Sequence, residues 1–174
     1  TPQHGMRYLT LGSLFIHQPG HEQARNYYRD LNLENATATV RYEVNGVNYT
    51  RTVFSSFSDN VIMVRLEADK SKALSFSLSY DSPLKSAVTV KGRKLLVRCE
   101  GAEHEGIPAA MHAECRVEVK TDGVQNTTDK QLVITDATTA TIYISAATNF
   151  VNYRDVSADA SKIAENYLKA AVRK

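Results

Sequence analysis

Acidic side chains and imidazoles crowd one stretch of this 174-residue chain, Glu100-Gly101-Ala102-Glu103-His104-Glu105-Gly106, with His112 close behind. Carboxylates flanking an imidazole can hold a metal ion or hydrogen-bond the hydroxyls of a sugar. Glu103, His104 and Glu105 are therefore the candidate ligand-binding residues. The competing reading is a solvated loop, since charged residues between glycines normally face water. His4, His17 and His21 form a second group, the latter two around Gln18-Pro19-Gly20. Their spacing fits no common metal site, and a polar turn explains them. Tyr27-Tyr28 followed by Arg29-Asp30 could meet a ligand through ring faces and an ion pair. Equally, the rings read as core and the charges as rim.

The common catalytic signatures are missing. The sequence has no phosphate-cradling glycine loop, no Cys-x-x-Cys pair, no His-Glu-x-x-His and no Gly-x-Ser-x-Gly elbow. No catalytic residue, metal ligand or cofactor is assigned. Asn35, Asn48 and Asn126 begin Asn-x-Ser/Thr triplets, a pattern too short to weigh.

Twenty-one Lys and Arg against nineteen Asp and Glu give a net charge of +2, too small to predict attraction to nucleic acid or an anionic membrane. No apolar run approaches the ~18 residues needed to span a bilayer, so no membrane insertion is expected. The chain opens Thr1-Pro2-Gln3-His4 without Met or an apolar leader, which reads as a processed or excised piece. Cys99 shares a strand face with Leu95 and Val97, and Cys115 with Met111, Ala113 and Val117. The two cysteines read as buried free thiols, with a structural disulfide as the alternative.

These residues must be carried by strands. Ala36, Ala38, Val40, Tyr42 and Val44 alternate with polar residues, Asn45-Gly46 follows, and Val47, Tyr49 and Val53 resume the alternation. Asn-Gly suits a type I′ turn, which pairs Val44 with Val47 and Tyr42 with Tyr49. Further strands are expected over 61–68, 74–80, 95–99, 111–120, 131–135 and 140–147. Short strands at roughly ten-residue spacing, separated by turn signals such as Lys91-Gly92 and Asp122-Gly123, predict a mainly β fold, an antiparallel β-sandwich. Only the end changes period: Ala160, Ile163, Ala164, Tyr167, Leu168 and Ala171 predict an amphipathic C-terminal helix with Ser157 as N-cap and Asp159 in its first turn.

Several segments then resemble, in order, one known domain. Tyr8-Leu9-Thr10-Leu11-Gly12-Ser13-Leu14, Tyr27 to Ala36, Val44 to Arg51 and Phe57-Ser58-Asp59-Asn60-Val61-Ile62 are similar to the N-terminal domain of glycoside hydrolase family 95. Lys72 to Phe76, His104-Glu105-Gly106-Ile107 and Ala147-Thr148-Asn149-Phe150 extend the resemblance over nearly the whole chain. That family acts on terminal α-L-fucose and, in some members, α-L-galactose. The resemblance implies a supersandwich-like domain, a helical linker and an (α/α)6 barrel bearing the active site. It implies inverting hydrolysis, with a carboxylic general acid and a water activated by an Asn and a carboxylate, all from the barrel.

On that basis residues 1–156 are expected to form the sandwich, lacking an upstream segment, and 157–174 a linker helix leading to an absent barrel. The partners implied are the catalytic domain of the same polypeptide and, through it, a fucosylated or galactosylated glycan. The compartment implied is periplasmic or extracellular. The domain would brace the barrel and line the cleft with a loop such as Glu103 to Gly106, leaving the apolar stripe of its helix as an orphaned interdomain surface. Two other readings stand beside it. An independent carbohydrate-binding module would show a groove with exposed Tyr rings. A structural interaction domain would show an apolar patch on a sheet face instead of on the helix.

Overall fold

The computed structural model describes residues 10–174. They form β1 (Ser13–His17), β2 (Arg25–Asn32), β3 (Thr37–Val44), β4 (Val47–Ser56), β5 (Val61–Ala68), β6 (Leu74–Asp81) and β7 (Lys85–Lys91). There follow β8 (Lys94–Glu100), β9 (His112–Thr121), β10 (Val124–Thr127), β11 (Leu132–Ala137), β12 (Thr139–Thr148) and the helix α1 (Ala160–Val172). A four-stranded sheet in the order β1-β6-β11-β10 packs on an eight-stranded sheet in the order β2-β3-β4-β5-β12-β9-β8-β7. All the pairings are antiparallel. The expected sandwich with a C-terminal helix is what the chain forms.

The Asn45-Gly46 hairpin forms as its residues dictate. Asn45 and Gly46 have φ of 51° and 71°, the left-handed pair a type I′ turn needs. The register follows, with Val44 opposite Val47 and Tyr42 opposite Tyr49. Between the sheets, Leu74, Phe76, Leu78, Leu132 and Ile134 of the smaller sheet meet Leu66, Leu95, Val97, Val117 and Ile142 of the larger one. Burying each such side chain contributes roughly 1.5–3 kcal/mol, so this layer supplies most of the driving force.

Four strands lie outside those expected from the sequence: β1, β2, β7 and β10. All four are sheet edges. An edge strand is half solvated, so selection for a clean apolar face is weak there. β2 is exposed at every residue but Asp30. Tyr27 and Tyr28 are accordingly 61% and 54% exposed, which corrects the expectation that their rings are core.

The helix also departs from expectation in two respects. Its N-cap is Asp159, whose Oδ1 accepts from the Lys162 N–H at 2.9 Å. Ser157 instead donates its N–H to Asp155 Oδ1 in the preceding loop. Nor is the apolar stripe orphaned, because Ala160, Ala164, Leu168 and Ala171 are buried. They pack over the outer face of the large sheet, where Leu168 and Ala171 meet Val61 and Tyr143. The Ser145 hydroxyl donates to the Ala164 carbonyl at 2.9 Å. Glu165 holds Arg116 at 2.6 Å, Lys94 at 2.8 Å and Lys169 at 3.3 Å. Burial alone would raise the Glu165 carboxyl, but these cations hold it below the usual carboxylate range.

The two sheets differ in width, and one row of inner-facing residues shows the consequence. Leu31, Ala38, Val53, Val64, Ile142 and Val119 lie opposite one another across β2, β3, β4, β5, β12 and β9. Val64 and Ile142 are 7% and 0% exposed, whereas Leu31 is 64% exposed. The four-stranded sheet covers the wide one from β4 across to β8, where Tyr49, Leu66, Ile142, Val117 and Leu95 are buried, and the apolar face continues beyond the roof.

Candidate functional site

The loop from β8 to β9 carries the sequence candidates. Glu103 and Glu105 are exposed and His104 is half-buried. A backbone pair closes the loop tip, His104 N–H to Ile107 O at 3.1 Å and Ile107 N–H to His104 O at 3.0 Å. His104 Nε2 lies 3.9 Å from Glu105 Oε1. At the loop's base Glu100 is held by Lys85 at 2.7 Å, and that bond lowers its carboxyl from the ordinary value. Glu100 faces His112 across the ladder. Among the described residues, no group of three or more His, Cys, Asp or Glu is placed to hold a metal ion.

Asn149 fixes this loop to the fold and is 3% exposed. Its Nδ2 donates to the carbonyls of Ala110 and Val156 at 2.9 and 2.8 Å, and its Oδ1 accepts from the His112 N–H at 2.9 Å. One amide thus ties the end of the Glu103–Glu105 loop to the start of β9 and to the approach to α1. The Ala147-Thr148-Asn149-Phe150 resemblance marked this position; what it holds together is visible only in the fold.

The histidines near the N-terminus take separate places. His4 lies outside the described residues, as do Tyr8 and Leu9 of the first resembling segment. His17 Nε2 lies 3.2 Å from Ser79 Oγ. His21 packs on the stacked pair Tyr42–Tyr49, with ring centroids 5.6 and 4.5 Å away, and its Nδ1 lies 3.0 Å from Tyr42 Oη. Gln18 Oε1 accepts from Arg51 Nη2 at 2.8 Å and from Tyr42 Oη at 3.2 Å. Burial, reinforced by Arg51 and opposed by Glu22, lowers the His21 pKa. The polar-turn reading therefore holds for His21, but the turn seals the core beneath it. Gln18 and Arg51 gave no sequence signal, because their meeting depends on β1 lying over β4.

Cys99 and Cys115 are free and buried, as their strand positions predict. Burial, with a smaller contribution from Cys99, pushes the Cys115 thiol up to about 12, which leaves it without nucleophilic thiolate at neutral pH.

The opposite, loop-bearing end of the large sheet carries exposed apolar side chains alongside Glu103 and Glu105. Phe57 is 95% exposed in the β4–β5 turn, Tyr153 82% and Phe150 52% in the β12–α1 loop, and Ile107 41% in the candidate loop. Isolated exposed apolar residues are ordinary, whereas a concentration of them marks a contact surface. Beside Phe57 and Phe150 lies an open groove of about 520 Å³.

Likeness to known proteins fits a sandwich of this kind. Residues 1–153 match the model of the glycosyl hydrolase family 65 N-terminal domain. The chain is 31% identical over 147 residues to Alpha-L-fucosidase 2 of Arabidopsis thaliana, over 72% of this chain and 17% of the plant protein. It superposes with a TM-score of 0.50 on a solved structure from the human microbiome, provisionally described as a kojibiose phosphorylase. That match has 13% identity over 85% of this chain and 21% of the other, so it concerns the fold alone. The chain spans about a fifth of the length of either relative.

Proposed function

The chain belongs to the family of glycosyl hydrolase family 65 N-terminal domains, and from that premise we propose that it is the non-catalytic sandwich domain of an enzyme releasing terminal α-L-fucose or α-L-galactose from glycans. In this reading the reaction proceeds with inversion in a barrel contributed by the same polypeptide, which this domain braces. The fucose assignment, and with it the narrower family 95 membership, is supported by the 31% identity to the plant fucosidase. The reading carries with it a periplasmic or extracellular compartment.

The observation that carries the bracing role is the unroofed apolar face. Leu31 at 64% and Ile62 at 44% exposure continue core rows past the edge of the smaller sheet. Such a face costs solubility unless something covers it. The apolar surface lies on a sheet face and not on the helix, the pattern expected of an interaction domain. A domain whose interaction partner is its own enzyme's catalytic portion satisfies both descriptions. In this reading the Glu103–Glu105 loop, at the same end as Phe57 and Phe150, lines the substrate cleft.

The test is hydrolysis of an aryl α-L-fucoside by the full-length polypeptide and by these 174 residues. Fucose release is expected from the former and none above a heat-killed control from the latter. Release by the 174 residues alone would overturn the non-catalytic role. A full-length polypeptide inert on α-L-fucosides and α-L-galactosides, yet active on other glycosides, would overturn the substrate assignment.

A further inference from the structure

The groove beside Phe57 is a notch in the large sheet. β5 pairs with β12 only as far as Val61 opposite Ser145, while β12 continues to Thr148 paired with β9 alone. The β4–β5 turn reverses the chain at that level. Ala146, Ala147 and Thr148 therefore have a strand neighbour on one side only. In an antiparallel strand, successive residues send their N–H and C=O to alternate sides. Asn149 sends its N–H to His112 O at 3.2 Å on the β9 side, so Ala146 and Thr148 send theirs into the notch. Among the described residues, no backbone hydrogen bond joins either to the facing turn.

Two apolar walls flank this open edge. Ile62 and Ile144 stand on the inner face of the sheet, Ile163 and Tyr167 of α1 on the outer face, and Phe57 and Phe150 at the rim. No charged side chain lines the groove. A docked helix would bring no backbone groups to Ala146 and Thr148, because its own are spent internally. An added strand meets both needs, pairing with the open edge and sending alternate side chains to the two walls.

We propose that the notch receives an extended, uncharged segment of the enzyme's catalytic portion as an added strand beside Ala146–Thr148, with apolar side chains at alternate positions. This rests on the reading that the chain braces a catalytic portion of its own polypeptide. The plant fucosidase matches this chain over only 17% of its length, so such a relative has ample chain to supply the segment. The absence of charge in the groove selects an apolar strand over a charged one, since a buried lysine or carboxylate would find no counter-ion there.

Amide hydrogen exchange on the 174-residue chain and on the full-length polypeptide tests this. The Ala146 and Thr148 amides are expected to exchange rapidly in the shorter chain and at least ~100-fold more slowly in the longer one, as ladder-bonded amides do. Ala146→Pro in the full-length polypeptide, which removes the N–H offered to the added strand, is expected to return Thr148 to rapid exchange. Protection around Phe57 and Phe150 without protection at Thr148 would overturn the added strand and leave the bracing role standing. Equal exchange everywhere in the two forms would overturn both. The exchange comparison decides the matter even if Ala146→Pro does not fold.

Discussion

The side-chain oxygen of Asn149 accepts the backbone N–H of His112 at 2.9 Å, and the backbone N–H of Asn149 returns to the His112 carbonyl at 3.2 Å. This reciprocal pair continues the β9–β12 ladder one step past its last residues and turns it into the anchor of two loops. The side-chain Nδ2 of Asn149 donates to the Ala110 and Val156 carbonyls, so the candidate loop and the approach to the helix share one buried post.

Replacing Asn149 by Ala leaves the Ala110 and Val156 carbonyls and the His112 N–H without this partner in a site 3% exposed. Each unsatisfied buried group costs ~1–3 kcal/mol. A loss of about 3 kcal/mol is expected in urea unfolding, with increased protease cutting between Gly101 and Met111. An Asn149→Ala variant within 0.5 kcal/mol of the parent, roughly the scatter of surface substitutions, would show that the loops are held by something else.

The helix belongs to the sandwich. Leu168 is fully buried against Val61 and Tyr143, so Leu168→Ala is expected to cost about 2–5 kcal/mol. Glu165→Gln removes a carboxylate contacting Arg116, Lys94 and Lys169, and Arg116 is only 13% exposed. About 1–3 kcal/mol is expected to be lost, less in high salt for the exposed Lys169 contact. Denaturant melts at two salt concentrations read both.

His21 gives the domain an acid-side weakness. Its folded pKa lies below the ordinary imidazole value of 6.5, so the unfolded chain binds the proton more readily. The stability this imidazole provides is whole above 6.5 and is lost as pH falls through the lower folded value. Thermal melts between pH 7 and 5 should fall more steeply for the parent than for His21→Gln. Parallel curves would refute the linkage. Asp59, Asp69, Asp122 and Asp155 have lowered pKa values, and their effect belongs below this window.

The thiols should be silent in the native state. With Cys99 1% and Cys115 3% exposed, and the latter thiol pushed up to about 12, an aromatic disulfide reagent is expected to titrate neither at pH 8. It should titrate both in denaturant. Rapid native modification of either would show that the sheets open locally.

If the Glu103–Glu105 loop lines the cleft, His104→Ala in the full-length enzyme is expected to raise KM for an aryl fucoside several-fold while kcat stays within about twofold, the signature of lost uniform binding. Unchanged KM would remove the loop from the site. Calorimetry on these 174 residues with free fucose is expected to show no binding at millimolar sugar. Measurable affinity would instead favour a carbohydrate-binding module.

The sequence by itself determined the ladder. Alternation at Leu74, Phe76 and Leu78, the Asn45-Gly46 turn, and the two buried cysteines could be read without coordinates, because side-chain period and turn geometry are local properties. The helix at 160–172 was legible for the same reason, down to its apolar stripe. Its cap and its partner were not: Asp159 and Ser157 compete on equal chemical terms, and whether a stripe faces a sheet or solvent depends on where the chain has travelled. The edge strand β2 escaped because it is exposed almost throughout, whereas β1 alternates in burial behind a Leu14-Phe15-Ile16 run that is apolar at every position. Only the tertiary structure decided that a narrow sheet roofs a wide one, that Leu31 and Ile62 remain uncovered, and that β12 outruns β5 beside Phe57. Those relations arise from strand order and length mismatch between segments far apart in sequence, and no local pattern encodes them.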